Sequence, residues 1–150
     1  MSELHPPRRR EDMDLSLFGP AHVKAYQETK GETGYIWNDA PILLLTTRGH
    51  KSGQSRTTPL IFVREGEKLA IVASKGGAPE HPDWYLNLQA EPRVRLQVKG
   101  DVFDATARTA DGAERARLWD QAVKAWPQYA DYQQLTDRKI PVVVLERTGG

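Results

Sequence analysis

The stretch TTRGHKSGQSRTTP, Thr46 to Pro59, sets Arg48, Lys51 and Arg56 on a frame of Gly49, Ser52, Gly53, Gln54 and Ser55. Residues of these types at this spacing suit anion binding. Glycines let backbone N–H groups turn onto an oxyanion, Lys and Arg add charge-assisted hydrogen bonds, and Ser and Gln add neutral donors. No Asp or Glu falls between Asp39 and Glu65, whereas Arg48, Lys51, Arg56 and Arg64 all do. A solvated face usually mixes signs, so this local excess points to a small phosphate or carboxylate ligand. A polyanion would need a longer basic zone. The GxxxxGK[ST] order of a nucleotide P-loop is absent. A plain solvated hairpin loop is the alternative that these residues leave open.

A second loop, Ala73-Ser-Lys-Gly-Gly-Ala78, again combines a hydroxyl, a cation and two glycines that permit close backbone approach. Two such loops at neighbouring strand ends could grip one extended phosphorylated molecule; a structural turn explains the second equally well. Trp84 and Tyr85 follow it, and Trp126, Tyr129 and Tyr132 recur three apart around Pro127. Core packing accounts for most tryptophans. Tyrosines in a polar, proline-broken segment each need a partner for the phenol, and a flat apolar ligand would use such a wall. Other chemistries are poorly served. His5, His22, His50 and His81 lack metal-ligand spacing, there is no cysteine, and no GxSxG elbow occurs. Redox work would therefore need a borrowed cofactor.

The elements that must position these groups can be read coarsely. Periodicity predicts a helix over Pro20 to Lys30, with Val23 and Tyr26 on one face and Gly31 as its stop. Strands are expected at 41–47, 57–63 and 69–73, forming a meander, and at 93–98 and 102–108, forming a hairpin. Pro82 to Ala90 reads as a short helix linking two sheets. Asp111 caps an amphipathic helix over 113–125, Pro127 ends it, and a short helix over 129–135 precedes a buried strand at 140–145. Six mostly antiparallel strands with flanking helices predict an α+β fold built on a small β-barrel or strongly curved sheet.

A chain of 150 residues has the length for one core, and the absence of cysteine suits a reducing compartment. We expect a flexible tail over 1–14 followed by a single domain over 15–150. In the tail, Arg8, Arg9 and Arg10 serve solubility or touch anionic lipid headgroups. No stretch reads as a signal peptide or a membrane span, so a cytoplasmic protein is expected, with peripheral contact at the inner face of the plasma membrane as an option. With 21 basic against 20 acidic residues, bulk attraction to nucleic acid is not indicated.

Three blocks, PILLLTTRGHKSGQSRTTPLIF, VASKGGAPEHPDWYLNLQAEPRVRLQV and WPQYADYQQLTDRKIPVVVLE, resemble the deazaflavin (F420)-dependent nitroreductase and quinone reductase family over roughly residues 35 to 147. The resemblance implies a split β-barrel of the flavin-reductase type that binds reduced coenzyme F420, an 8-hydroxy-5-deazaflavin with a phosphate and a polyglutamate tail. It implies that Arg48, Lys51, Ser52, Gln54 and Arg56 hold the phosphate and tail carboxylates. Pro59 would lie by the ring, Ser74, Lys75, Gly76 and Gly77 would contact ring and linker, and Trp84 would border the pocket. Trp126, Tyr129 and Tyr132 match the family's substrate wall. The chain departs from the pattern at His50, where family members tend to carry Arg or Lys, and at Trp126, where the nitroimidazole-activating enzyme has tyrosine.

The activity so implied is hydride transfer from F420H2 to a planar apolar acceptor: a quinone, a nitroaromatic or an unsaturated lactone. Ser74, Tyr129 or Tyr132, foremost Tyr132, would donate a hydrogen bond or proton to the developing oxyanion. Monomer and homodimer both fit the family. Competing readings are an FMN-binding split-barrel oxidoreductase and a non-catalytic carrier of an acidic amphipathic ligand.

Overall fold

The computed structural model describes residues 19–148. The tail expected over 1–14 lies outside them. The elements run α1 (Gly19–Thr29), β1 (Ile36–Trp37), β2 (Ala40–Arg48), β3 (Ser55–Glu65), β4 (Lys68–Val72), a 3₁₀ turn (Lys75–Gly77), α2 (Asp83–Ala90), β5 (Arg93–Val98), β6 (Asp101–Thr109), α3 (Gly112–Ala125), α4 (Gln128–Gln134) and β7 (Val142–Arg147).

Six strands, β2-β3-β4-β7-β6-β5, form a ring in which every pairing is antiparallel, and β5 closes it against β2. This is the split β-barrel expected of the family. The meander and the hairpin are thus parts of one closed sheet, and β7 inserts between β4 and β6. β1 was not foreseen: it adds two residues to the start of β2, too few to leave a periodic signal.

Why β2 reads as an unbroken apolar run is clear from its two faces. Leu43 and Leu45 point into the barrel, while Ile42 and Leu44 pack beneath Tyr26 of α1. A strand covered on both sides has no polar alternation to show. The Tyr26 hydroxyl fastens the covering helix, donating to the Ile42 carbonyl at 2.9 Å and accepting the Lys99 N–H at 2.7 Å. β4 and β7 are likewise two-sided, since Ala70, Val142 and Val144 meet Leu118 of α3 outside the barrel. β5, with one face in solvent, alternates as predicted. β7 begins two residues later than expected because Ile140 and Pro141 approach it as extended chain, with the Pro141 carbonyl accepting the Ala73 N–H.

α3 is anchored by a bidentate pair, Arg108 to Glu114 at 2.6 and 2.9 Å, with Arg108 also reaching Glu146 at 3.2 Å. No helix among the described residues is long and apolar enough to cross a membrane.

Candidate active site

The loop between β2 and β3 is held in shape by its own backbone. The Gly49 N–H donates to the Gln54 carbonyl at 2.8 Å, the Gly53 N–H donates to the Gly49 carbonyl at 2.9 Å, and Ser52 Oγ accepts the Gln54 N–H at 3.1 Å. Gly53 sits at φ +74°, a conformation that favours glycine. Beside the loop opens a cleft of about 680 Å³ that Lys51, Ser52, Ser55 and Arg56 share with Asp83, Trp84 and Asn87 of α2.

Pairing register divides the predicted cations. Thr47 lies opposite Arg56 and Arg48 opposite Ser55, so the two arginines leave opposite faces of the ribbon. Arg56 lines the cleft; Arg48 lines a separate cavity beside Glu91 and Arg93. Gln54 lends its backbone to the loop and does not line the cleft. The structure thus brings Lys51, Ser52 and Arg56 together and sets Arg48 and Gln54 apart from them. It also adds a carboxylate, Asp83, which no local stretch around the loop contains.

Asn87 is the residue that sequence reasoning missed most completely. Buried at 4% exposure, its Oδ1 accepts from the His50 backbone N–H at 2.9 Å and from His50 Nδ1 at 2.6 Å, and its Nδ2 donates to Thr47 Oγ1 at 3.1 Å. An amide oxygen only accepts, so His50 Nδ1 is the donor in this contact. The loop is therefore tied to α2 at its second residue, His50.

Against the cleft lies a second pocket of about 460 Å³, apolar and aromatic. Its floor is the outer face of β3 and β4, including Pro59, Ile61 and Val72, and its walls are Trp37, Trp84, Trp126, Tyr129 and Tyr132. Thr58 and Trp84 border both spaces, which makes them one continuous groove. Trp37 and Trp126 approach to 5.7 Å between ring centroids, and Tyr129 meets Tyr132 edge to face at 6.2 Å. Desolvation pushes the Tyr129 phenol well above its ordinary pKa, so it stays protonated. The Tyr132 hydroxyl donates to Gln128 Oε1 at 2.9 Å. Tyr85 is elsewhere, in the barrel core, with its hydroxyl on Thr109 at 2.7 Å.

Ser74, Lys75 and Gly76 line the same pocket, whereas Gly77 faces α4. A Cβ on Gly77 would stand 2.7 Å from the Tyr132 carbonyl, and its φ is +85°. The close approach of loop and helix requires glycine there. A second unforeseen residue secures the loop. Arg138 donates to the Ala73 carbonyl at 3.1 Å, the Ser74 carbonyl at 2.7 Å and the Ala78 carbonyl at 2.9 Å, and contacts His81 Nδ1 at 3.1 Å. Burial and then the Arg138 charge hold His81 below the usual histidine range, which keeps Nδ1 an acceptor.

The groove is thus cationic and hydroxyl-rich at one end and apolar and aromatic at the other. An amphipathic molecule with an acidic arm and a planar ring system would suit this donor set, with Lys51 and Arg56 available to the arm and the aromatic slot to the ring.

Residues 20–147 match a family described as F420H(2)-dependent quinone reductase. An F420H(2)-dependent quinone reductase of Mycobacterium tuberculosis (strain ATCC 25618 / H37Rv) is 44% identical over 131 residues, 84% of this chain and 87% of that protein. Among solved structures, an F420-H2 dependent reductase (FDR-A) is 52% identical with a TM-score of 0.66, covering 71% of this chain and 94% of that one. A chain described as a domain-swapped dimer is 47% identical with a TM-score of 0.69, covering 83% and 93%. With nearly all its described residues matched and its barrel shared, the chain belongs to the F420H(2)-dependent quinone reductase family.

Proposed function

We infer that this protein is an F420H2-dependent quinone reductase, an oxidoreductase that transfers hydride to a flat apolar acceptor. The observation that carries the reading is the groove itself, in which a cationic cleft and an aromatic slot meet at Thr58 and Trp84. Reduced F420, when bound, supplies the hydride. Lys51, Ser52 and Arg56 would hold its phosphate and acidic tail, with the His50 backbone kept in place by Asn87. Pro59, Ser74, Lys75 and Gly76 line the space for the ring.

Trp126, Tyr129 and Tyr132 would exclude water from the slot and orient a flat acceptor there. Negative charge develops on the acceptor oxygen as hydride arrives. Ser74 and Tyr132 supply hydroxyls at the slot to stabilise it; Tyr129 contributes a neutral phenol deeper in the wall. The same slot suits nitroaromatics and unsaturated lactones, which are flat and acquire an oxyanion in the same way. Contact of the basic segment before residue 14 with anionic lipid would bring the slot near membrane quinones.

The test is anaerobic oxidation of F420H2, followed at its visible band, against a panel of quinones, nitroaromatics and lactones, with FMNH2 as the alternative donor. Quinone-dependent oxidation specific to F420H2 is expected. Absence of turnover with every quinone, or equal turnover with FMNH2, would sink the reading.

A further inference from the structure

Gln128 opens α4 and is buried at 7% exposure, yet among the described residues its Nε2 has no hydrogen-bond partner. Buried amide donors are rarely left unpaired, and those that are call for a reason. This one sits one helical turn from Tyr132, whose hydroxyl donates to Gln128 Oε1 at 2.9 Å while the ring lines the aromatic slot.

With its proton committed to Gln128, the Tyr132 oxygen offers the slot lone pairs only. A quinone carbonyl is itself an acceptor and finds no donor at Tyr132 in that arrangement. A half-turn of the carboxamide exchanges its oxygen and nitrogen in nearly the same space. Nε2 then donates to Tyr132 Oη, the phenol proton turns into the slot, and the unpaired atom becomes a carbonyl oxygen, a lesser burden than an orphan N–H. The resulting run, Nε2–H to Oη–H to quinone oxygen, polarises along its length. A hydroquinone, which carries O–H donors, suits the first arrangement instead.

We propose that Gln128 is a positioning residue for Tyr132, its buried carboxamide reversing so that one phenol donates to a quinone carbonyl and accepts from the hydroxyl of the reduced product. This rests on the quinone reading of the slot given above.

The test measures binding to the protein saturated with oxidised F420, so that no turnover occurs. The probe is 2-methyl-1,4-naphthoquinone, titrated by calorimetry into wild type, Gln128→Met, Tyr132→Phe and the double variant. Each single substitution weakens binding about ten-fold, the worth of one hydrogen bond to a buried acceptor, and the double variant is no weaker than about twofold beyond the singles. In parallel, the Gln128 side-chain amide resonances, assigned by their loss in Gln128→Met, shift when naphthoquinone is added to wild type but not to Tyr132→Phe. Should Gln128→Met not fold, Gln128→Glu, titrated at a pH high enough to ionise the buried carboxyl so that it can only accept, shows the same loss. Wild-type affinity in the Gln128 variants, additive losses in the double variant, or an unmoved Gln128 amide would overturn the proposal alone. Failure of wild type to bind the quinone at all would overturn both it and the quinone reading.

Discussion

Arg138 and Ser74 are joined through the main chain: the guanidinium Nη2 donates to the Ser74 carbonyl at 2.7 Å, and the same side chain reaches the carbonyls of Ala73 and Ala78. One cation thereby fixes the backbone on which a proposed catalytic hydroxyl stands. Arg138→Met strands three acceptors, one of them on fully buried Ala73. We expect a loss of about 2–4 kcal/mol in urea unfolding, together with weaker F420 binding. Unchanged stability would show that water satisfies these carbonyls.

Register separates the two arginines of the basic loop, and their variants should differ accordingly. Arg56→Gln removes a cation from the cleft and is expected to weaken F420 affinity about ten-fold or more, with a shallower dependence on ionic strength. Arg48→Gln, on the other face beside Glu91, should change it by less than about threefold. Calorimetric titration at two salt concentrations distinguishes them, and equal losses would contradict the assignment of the cleft.

Tyr132→Phe keeps the ring in the wall and deletes the hydroxyl. Turnover with quinone should fall about ten-fold or more while the dissociation constant for F420 stays within about twofold. A parallel loss of both would make Tyr132 part of the cofactor's seat.

Gly77→Ala introduces a methyl group 2.7 Å from the Tyr132 carbonyl at a φ of +85°. Backbone strain and overlap together should cost about 3 kcal/mol in chemical denaturation. The damage should appear in the α4 wall as weakened quinone binding; a neutral effect would mean that loop and helix are not in contact in solution.

Hydrogen bonding from Arg108 holds the Glu114 carboxyl at about 2. A carboxylate with a depressed folded-state pKa contributes stability that is complete above its unfolded value of about 4.5 and is lost as pH falls towards 2. Melting temperatures of wild type and Glu114→Gln should therefore differ at pH 6 and converge by about pH 2. A constant gap would place the stabilisation elsewhere than in this ion pair.

Most of the barrel was legible because its signals are local. β5 and β6 alternate, β2 is an apolar run, and Pro127 marks the break between α3 and α4. The loop's cations and the aromatic wall were equally visible as residue types. What a linear reading could not supply is which groups tertiary structure brings together. Asn87 and Asp83 belong to a helix with no evident tie to the basic loop. Arg138, in the polar segment DRK, reads like any solvated arginine. Arg48 looked equivalent to Arg56 because strand register is invisible until β3 is aligned on β2. Gln128 stands in the polar segment QYADYQQ, where nothing local marks its burial.

The place of β7 has a consequence for how the chain reaches this state. β7, the last of the six barrel strands in chain order, is the one that must slide between β4 and β6, so the cylinder stays an open, sticky sheet until that strand is in place. Its pairings with β4 span some seventy residues of chain, a long loop to close before any reward is gained. Barrel closure should therefore be slow, and removal of β7 should leave an aggregating intermediate.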